Sequence, residues 1–271
     1  MSAALSRLRA LLKDELFVRG PKGLQPTPRA LDLAEPLGLA LAEIQRTLEF
    51  TQAFDPRTSA TTFSLGLSEH PAYLVLPRLV EHLRAVGPAI TLRVRSFTER
   101  DDAVTMLDAG EIDVAIGVPP TTLTGRILMR PLFEEQMVCI LRRDHPVAGI
   151  PLDLATFLSL SHLLVSPEND RFGLVDQALA KQGLKRRLAL TLPHMYAAPS
   201  LIARSDMVST IMEGVISASG QAAGLCVHRP PVDLDPVTFA TSWHRRNDTH
   251  PAQRWLRDCI SSLFGQTSSS V

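Results

Sequence analysis

Residues 61–118 read TTFSLGLSEHPAYLVLPRLVEHLRAVGPAITLRVRSFTERDDAVTMLDAGEIDVAIGV. Phe63, Leu65 and Leu67 alternate with small or polar residues, the period-two pattern of a strand with one buried face. Residues 71–86 carry a helical pattern, which Gly87-Pro88 ends. Ile90, Leu92 and Val94 alternate again, residues 101–109 read as a second helix, and Gly110 closes it. Residues 111–118, EIDVAIGV, are mostly apolar, as a strand covered on both faces must be. The order strand, helix, strand, helix, strand predicts a parallel sheet with helices packed on it.

Downstream the rhythm returns. Residues 133–141, FEEQMVCIL, read as one long extended stretch, and 153–158 as a helical piece. HLLVS (162–166), LALTL (188–192) and 207–212 are strands, separated by helices at 174–182 and 197–203. VTFATSW (237–243) is a late strand, and 251–263 an amphipathic helix carrying Trp255, Leu256, Cys259, Ile260 and Leu263. The ending GQTSSSV reads as a frayed tail. The class is therefore α/β: a two-lobed clamshell of two βαβαβ units, joined by extended crossings at 133–141 and near 237–243. Lobe I takes in 61–135 and 236–263, lobe II takes in 136–235, and 264–271 is tail.

Ligands of open parallel sheets sit beyond the carboxyl ends of the strands, so two facing lobes enclose one cleft. The loops at those ends offer Ser68 with Glu69 and His70, the stretch from Ser96 to Thr98, the stretch from Val118 to Thr121, Ser166 with Asn169, and His194. Ser68 and Ser166 follow the first strand of each unit, near a helix start. Hydroxyls beside unpaired backbone N–H groups suit a carboxylate, so a small organic acid, aromatic ones included, is the expected ligand. Plain N-capping by the two serines is the alternative. His70 and His194 are of a type more often structural than ligand-binding.

Upstream, residues 2–13 form a helix with Leu5, Leu8 and Leu12 on one stripe, Leu11 beside it, and Arg7 and Arg9 off it. Residues 16–30 turn at Gly20, Pro21 and Gly23 into a small hairpin. Residues 28–54 form a longer helix. Its Leu33, Leu37, Leu41, Ile44 and Leu48 recur as a seam, interrupted at Pro36 by a kink or a fresh start. That seam predicts dimerisation, with packing on the chain's own body as the alternative. Residues 54–59 are a linker.

The 271 residues hold 28 basic and 28 acidic side chains, which cancel. Residues 1–30 nevertheless carry Arg7, Arg9, Lys13, Arg19, Lys22 and Arg29 against Asp14 and Glu15, a local charge of +4. A basic segment on a neutral-to-acidic body suggests nucleic acid, or else a solvated helix face. Cys139, Cys226 and Cys259 are too few and too far apart for a disulfide framework or a zinc site. No apolar run reaches the roughly 20 residues needed to span a bilayer, and no signal-peptide core opens the chain, so a cytoplasmic location is expected. GxSxG, HExxH and a phosphate-cradling glycine loop are missing from the sequence. Asp101-Asp102 starts a helix, where acids suit the dipole, and His228, His244 and His250 lack metal-ligand spacing. The expectation is a non-enzyme without metal or cofactor.

The run SAALSRLRALLKDELFVRGPKGLQPTPRA (2–30) resembles the end of the winged helix-turn-helix of LysR-type transcriptional regulators. That family's recognition helix has the form S-x-x-[LI]-x-R-L-x-x-L, followed by L-F-x-R, a short wing and T-P-x-A/G. Here Ser2, Leu5, Arg7, Leu8 and Leu11 fit the first part. Leu16-Phe17-Val18-Arg19 and Thr27-Pro28-Arg29-Ala30 fit the rest. EIDVAIG (111–117), LRRDHPVA (141–148), AAPSLIARSDMVSTI (197–211), SWHRR (242–246) and HPAQRWLRDCI (250–260) resemble matching stretches of its effector domain. The resemblance implies double-stranded promoter DNA and a small-molecule effector as partners. It also implies a homodimer through the linker helix, often a tetramer, and no membrane. Residues 1–30 would be a partial winged helix-turn-helix, because the family has two further helices ahead of this point. Residues 31–60 would be linker and hinge, and 61–263 the effector domain. In the groove, Ser2 and Ser6 would contact phosphate, and Arg7 and Arg9 would read base edges or pair with phosphate. Arg19, Lys22 and Arg29 would anchor the wing to the backbone. Ser68, His70, Thr98, Val118, Ser166, Asn169 and His194 would surround the effector. One departure is Met212, where the family often has proline. The alternatives are a solute-binding protein and a ligand-sensing module without DNA binding.

Overall fold

A computed structural model describes residues 3–20, 23–50, 54–122, 124–168 and 172–265. Ser2, Lys22, Asn169 and the tail beyond Gly265 lie outside the described residues. The chain divides into two units, Met1–Phe54 and Asp55–Val271.

The first unit runs α1 (Ala3–Leu12), β1 (Phe17–Gly20), β2 (Gly23–Pro26) and α2 (Pro28–Phe50). The turn out of α1 uses two left-handed residues, Lys13 (φ 50°) and Leu16 (φ 60°), a conformation that costs an L-residue about 1–2 kcal/mol. Asp14 secures it: one carboxylate oxygen accepts from the Leu16 N–H and from the Thr27 hydroxyl, both at 2.7 Å. The Thr27 bond, with that from Leu16, holds the Asp14 carboxyl below the usual carboxylate range. β1 and β2 pair antiparallel, Phe17 opposite Pro26 and Gly20 opposite Gly23. The Thr-Pro-Arg-Ala motif is a helix start. The Thr27 hydroxyl accepts from the Ala30 N–H at 3.1 Å, and Pro28, which has no N–H to satisfy, takes the first helical place. α2 runs on through Pro36, so the seam is one helix rather than two.

The second unit begins with β3 (Thr62–Leu67), α3 (Glu69–Val86), β4 (Thr91–Ser96), α4 (Arg100–Ala109), β5 (Val114–Gly117) and β6 (Ile127–Glu135). It continues with β7 (Met137–Arg142), α5 (Leu154–Ser159), β8 (Ser161–Val165), α6 (Leu174–Ala180), β9 (Arg187–Leu192), α7 (Ala198–Ile202), β10 (Met207–Met212), α8 (Gly214–Ala218) and β11 (Leu225–His228). It returns through β12 (Val237–His244) and α9 (Pro251–Phe264). Two mixed sheets of five strands result, ordered β4-β3-β5-β12-β6 and β11-β7-β10-β8-β9. Strands β3, β4 and β5 run parallel, as do β8, β9 and β10, while β12 and β7 run against their neighbours.

The stretch 133–141 is not one strand. β6 stops at Glu135, Gln136 steps across, and β7 starts at Met137 in the other sheet. Both halves are apolar enough to pair, so only the change of partner marks the break. The second crossing is residues 229–236, and β12 is an internal strand of the first sheet, hydrogen-bonded to both β5 and β6.

Phe63, Leu65 and Leu67 are fully buried, each contributing about 1.5–3 kcal/mol relative to exposure. Phe97, Leu107, Ile112 and Ile127 form a cluster of the first lobe around α4. A Cβ on Gly66 would collide with Ile112 Cδ1, and one on Gly117 would lie 2.7 Å from the Phe97 ring, so glycine admits the core at both strand ends. The second lobe has one cluster on each face of its sheet, around Ile140, Leu163 and Ile211, and around Cys139, Phe157 and Val208. Cys139 and Cys259 are packing residues, whose thiols burial pushes up to about 11.

Candidate functional site

Each lobe delivers a serine at the end of the first of its three parallel strands, Ser68 after β3 and Ser166 after β8. The Ser68 N–H donates to the Ile116 carbonyl at 3.2 Å, and the Ser166 N–H donates to the Leu192 carbonyl at 3.0 Å. Ser68 occupies the N-cap position of α3 with extended backbone, but its hydroxyl makes no cap bond. Ser166 caps no helix among the described residues: α6 starts eight residues later, its cap is Gly173, and the Asp176 carboxylate accepts the Gly173 N–H at 2.9 Å. The expected pairing of both serines with helix starts therefore holds for Ser68 alone.

A cleft of about 430 Å³ opens between the lobes. Val118 and Pro119 line it from the first lobe, and Met137, Leu164, Ser166, Met195, Thr210, Ile211 and Met212 from the second. Pro236, Val237 and Thr238 line it where the chain crosses back. The walls are chiefly apolar. Ser166 is only 7% exposed, and Thr210 is buried with its hydroxyl 3.3 Å from the Cys139 sulfur.

Of the residues expected at the ligand, the structure brings Val118 and Ser166 to the cleft. Ser68, His70, Thr98 and His194 are not in its wall. Thr98 and His194 are exposed on loops. His70 is buried, with Nδ1 2.9 Å from the Tyr196 hydroxyl and Nε2 3.1 Å from a Glu135 carboxylate oxygen, outside hydrogen-bond alignment. Its ring also faces Phe239 at 5.5 Å. The histidine is thus a tie between the lobes. Around it, Glu69 accepts the Met195 N–H at 2.8 Å, Tyr73 donates to the Ala218 carbonyl at 2.7 Å, and Glu135 accepts the Gly214 N–H at 3.1 Å. Tyr73 stacks on Tyr196 with ring centres 4.4 Å apart. Burial, with the Glu69 charge beside it, pushes the Tyr196 hydroxyl well up, so it keeps its proton.

A second tie spans the cleft mouth: Arg100 Nε donates to Glu168 Oε1 at 2.8 Å, and both residues line the cleft. The sequence reading missed this pair, because Arg100 stands among the charges of a helix start and Glu168 lies 68 positions away. Asp101 missed a role too. Its carboxylate accepts from the Thr121 N–H at 3.3 Å and the Thr121 hydroxyl at 2.8 Å, and so fixes the loop that presents Val118.

In the first unit Ser6, Arg7, Arg19 and Arg29 are exposed. Arg9 reaches back instead: it donates to the Glu15 carbonyl at 2.7 Å and to the Phe17 carbonyl at 3.3 Å, bracing helix against hairpin. Leu37, Leu41 and Ile44 are exposed on α2. Among the described residues no cluster of three or more His, Cys, Asp or Glu is placed to hold a metal ion, and no helix is long and apolar enough to cross a membrane.

Residues 56–265 match the LysR substrate binding domain. Over 269 residues the chain is 35% identical to the HTH-type transcriptional activator NagR of Ralstonia sp, covering 98% of this chain and 88% of NagR. It is 33% identical over 267 residues to the HTH-type transcriptional activator NahR of Pseudomonas putida, covering 97% and 87%. The structure of the probable transcriptional regulator PA0477 from Pseudomonas aeruginosa superposes with a TM-score of 0.71 at 32% identity, covering 96% of this chain and 85% of that one.

Proposed function

The chain belongs to the LysR family of transcriptional regulators, whose members bind promoter DNA and small-molecule effectors, and on that premise we propose that its cleft senses a small organic acid. The observation that carries the reading is an apolar cleft of about 430 Å³ that holds the nearly buried Ser166 and the Arg100 cation. An apolar ligand would strip water from the serine without replacing it, a cost of about 1–3 kcal/mol. A carboxylate accepts from the serine and suits the cation, while the apolar body rests on Val118, Ile211 and Met212.

The effector acts only through its different affinity for two lobe arrangements. Closure is transmitted to DNA-binding heads paired through α2, whose exposed Leu37, Leu41 and Ile44 meet a second copy, with tetramers through the effector domains. α1 is the recognition helix, with the exposed Ser6 and Arg7, and Arg19 and Arg29 are backbone anchors. Residues 1–30 form the winged part, 31–60 the linker, and 61–135 with 236–263 the first lobe. Residues 136–235 form the second lobe, and 264–271 are tail.

Two measurements test this together. Calorimetry with benzoate, phenylacetate and hexanoate should give binding that Ser166→Ala weakens about five- to tenfold. Gel shift on DNA from upstream of the gene, at stated salt, should change when the binding acid is added. If no acid binds and none alters the shift, the organic-acid reading is wrong. If binding is indifferent to Ser166→Ala, the serine is not a contact.

A further inference from the structure

The cleft presents two cations with different histories. Arg186 is only 2% exposed and grips Asp176 with two bonds, at 2.8 and 2.7 Å. Separating them would leave a buried charge without a partner, which proteins avoid. Arg100 is held by a single bond to Glu168, and the two side chains are 42% and 28% exposed. A pair as open as this is worth at most about fivefold in an equilibrium constant. It is therefore the exchangeable one.

Arg100 starts α4 in the first lobe, whereas Glu168 follows β8 in the second. The protein's own carboxylate thus bridges the lobes at the position where an entering acid would find its cation. An acid that enters while the bond is closed has only Arg186, already neutralised, and the carboxylates of Glu168 and Asp235 around it.

We infer that Glu168 is a built-in competitor of the effector: the entering carboxylate takes its place on Arg100, and the bridge between the lobes passes from the protein to the ligand. The inference rests on the reading of the cleft as an organic-acid site and names the cation that anchors the acid. It also narrows the class. Arg100 supplies one exchangeable cation, and Asp235 remains in the wall, so a monocarboxylate fits and a dicarboxylate meets repulsion. Once Glu168 is released, the mouth of the cleft stays closed only while ligand holds it. Without ligand the same guanidinium is occupied, so the unliganded state is a defined arrangement rather than an open one.

The test titrates the full chain with benzoate, phenylacetate and hexanoate, with benzamide as the neutral counterpart of benzoate. Glu168→Gln removes the competitor's charge and should tighten the acids about three- to fivefold, while benzamide changes less than about twofold. Arg100→Ala should weaken the acids about tenfold or more, and Arg100→Lys should restore part of that. In the Arg100→Ala background, Glu168→Gln should no longer help. If Glu168→Gln leaves the acids unchanged or weakens them, exchange is refuted. If it tightens them equally without Arg100, the gain is general charge relief and exchange is again refuted. If the acids bind and respond to Ser166→Ala but not to Arg100 or Glu168 substitutions, exchange fails alone. If no acid binds, it fails together with the organic-acid reading.

Discussion

His70 and Tyr196 meet across the two lobes, the imidazole Nδ1 2.9 Å from the phenolic oxygen, 126 residues apart in the chain. The phenol keeps its proton, because burial and the Glu69 charge push its ionisation up, and the tautomer of the ring sets which partner donates. Tyr196→Phe removes the hydroxyl and leaves the buried nitrogen facing a carbon. The expected loss is about 1–2 kcal/mol, a fall of roughly 2–4 °C in melting temperature for each. An unchanged melting curve would show that the bond is not a tie between the lobes.

His162 makes the stability depend on pH. It is fully buried at the start of β8, its Nε2 donates to the Phe157 carbonyl at 2.8 Å, and the Phe157 ring meets it edge-on. Burial pushes its pKa down to about 4 from 6.5, and the nearby Arg186 cation pushes the same way. The unfolded chain therefore takes up this proton first as the pH falls. The stabilising contribution is complete above about pH 6.5 and is lost as the pH falls toward 4, in total roughly 3 kcal/mol. Urea denaturation at pH 7 and at pH 4.5 should show the loss, and His162→Gln should flatten it. The same slope in the variant would assign the effect to other groups.

The parts of this fold legible in the sequence are those where one residue pattern has one structural outcome. The alternation of Phe63, Leu65 and Leu67 and the apolar run of β5 each find the expected strand. The β6–β7 break is different, because changing sheets at Gln136 alters partners and not polarity. The first half of β6 stayed hidden behind Pro131, which argues against a strand. Here it is tolerated because β6 is an edge strand and Pro131 faces Ala240 at a register shift, where a missing N–H costs little. β11 and α8 are too short to show a period. At the site, Ser166 was found by its likeness to Ser68, yet only one of them lines the cleft. Arg100 and Glu168 carried no signal at all, since a salt bridge between a helix start and a loop 68 positions away leaves no spacing to read.

The exposed face of α2 predicts a seam between two copies of the chain. Leu37, Leu41 and Ile44 lie at seam spacing and are exposed within the single chain. Leu41→Asp puts a charge into a paired seam, whereas on a solvated helix it would be nearly neutral. Sedimentation should show the dimer weakened at least about tenfold, with acid binding in the cleft unchanged. A variant that sediments like the parent would remove α2 from the interface.

Among the exposed basic residues, Arg7 and Arg19 should differ in kind. Arg7 lies on α1, off its apolar stripe, and Arg19 lies on β1 of the hairpin. A recognition-helix arginine that reads a base edge discriminates between sequences, so Arg7→Ala should cost about 1–3 kcal/mol on the operator and much less on unrelated DNA. A wing arginine on phosphate carries no sequence information, so Arg19→Ala should weaken both and lower the salt slope by about one. Gel shifts over a salt series on operator and unrelated fragments separate the two. Arg9→Ala provides the third comparison. Its guanidinium is committed to the Glu15 and Phe17 carbonyls, so its loss should loosen the helix-to-hairpin turn and lower stability before it alters sequence preference. If Arg9→Ala leaves stability untouched and removes sequence preference, the brace is the wrong role and Arg9 belongs with Arg7 at the base edges.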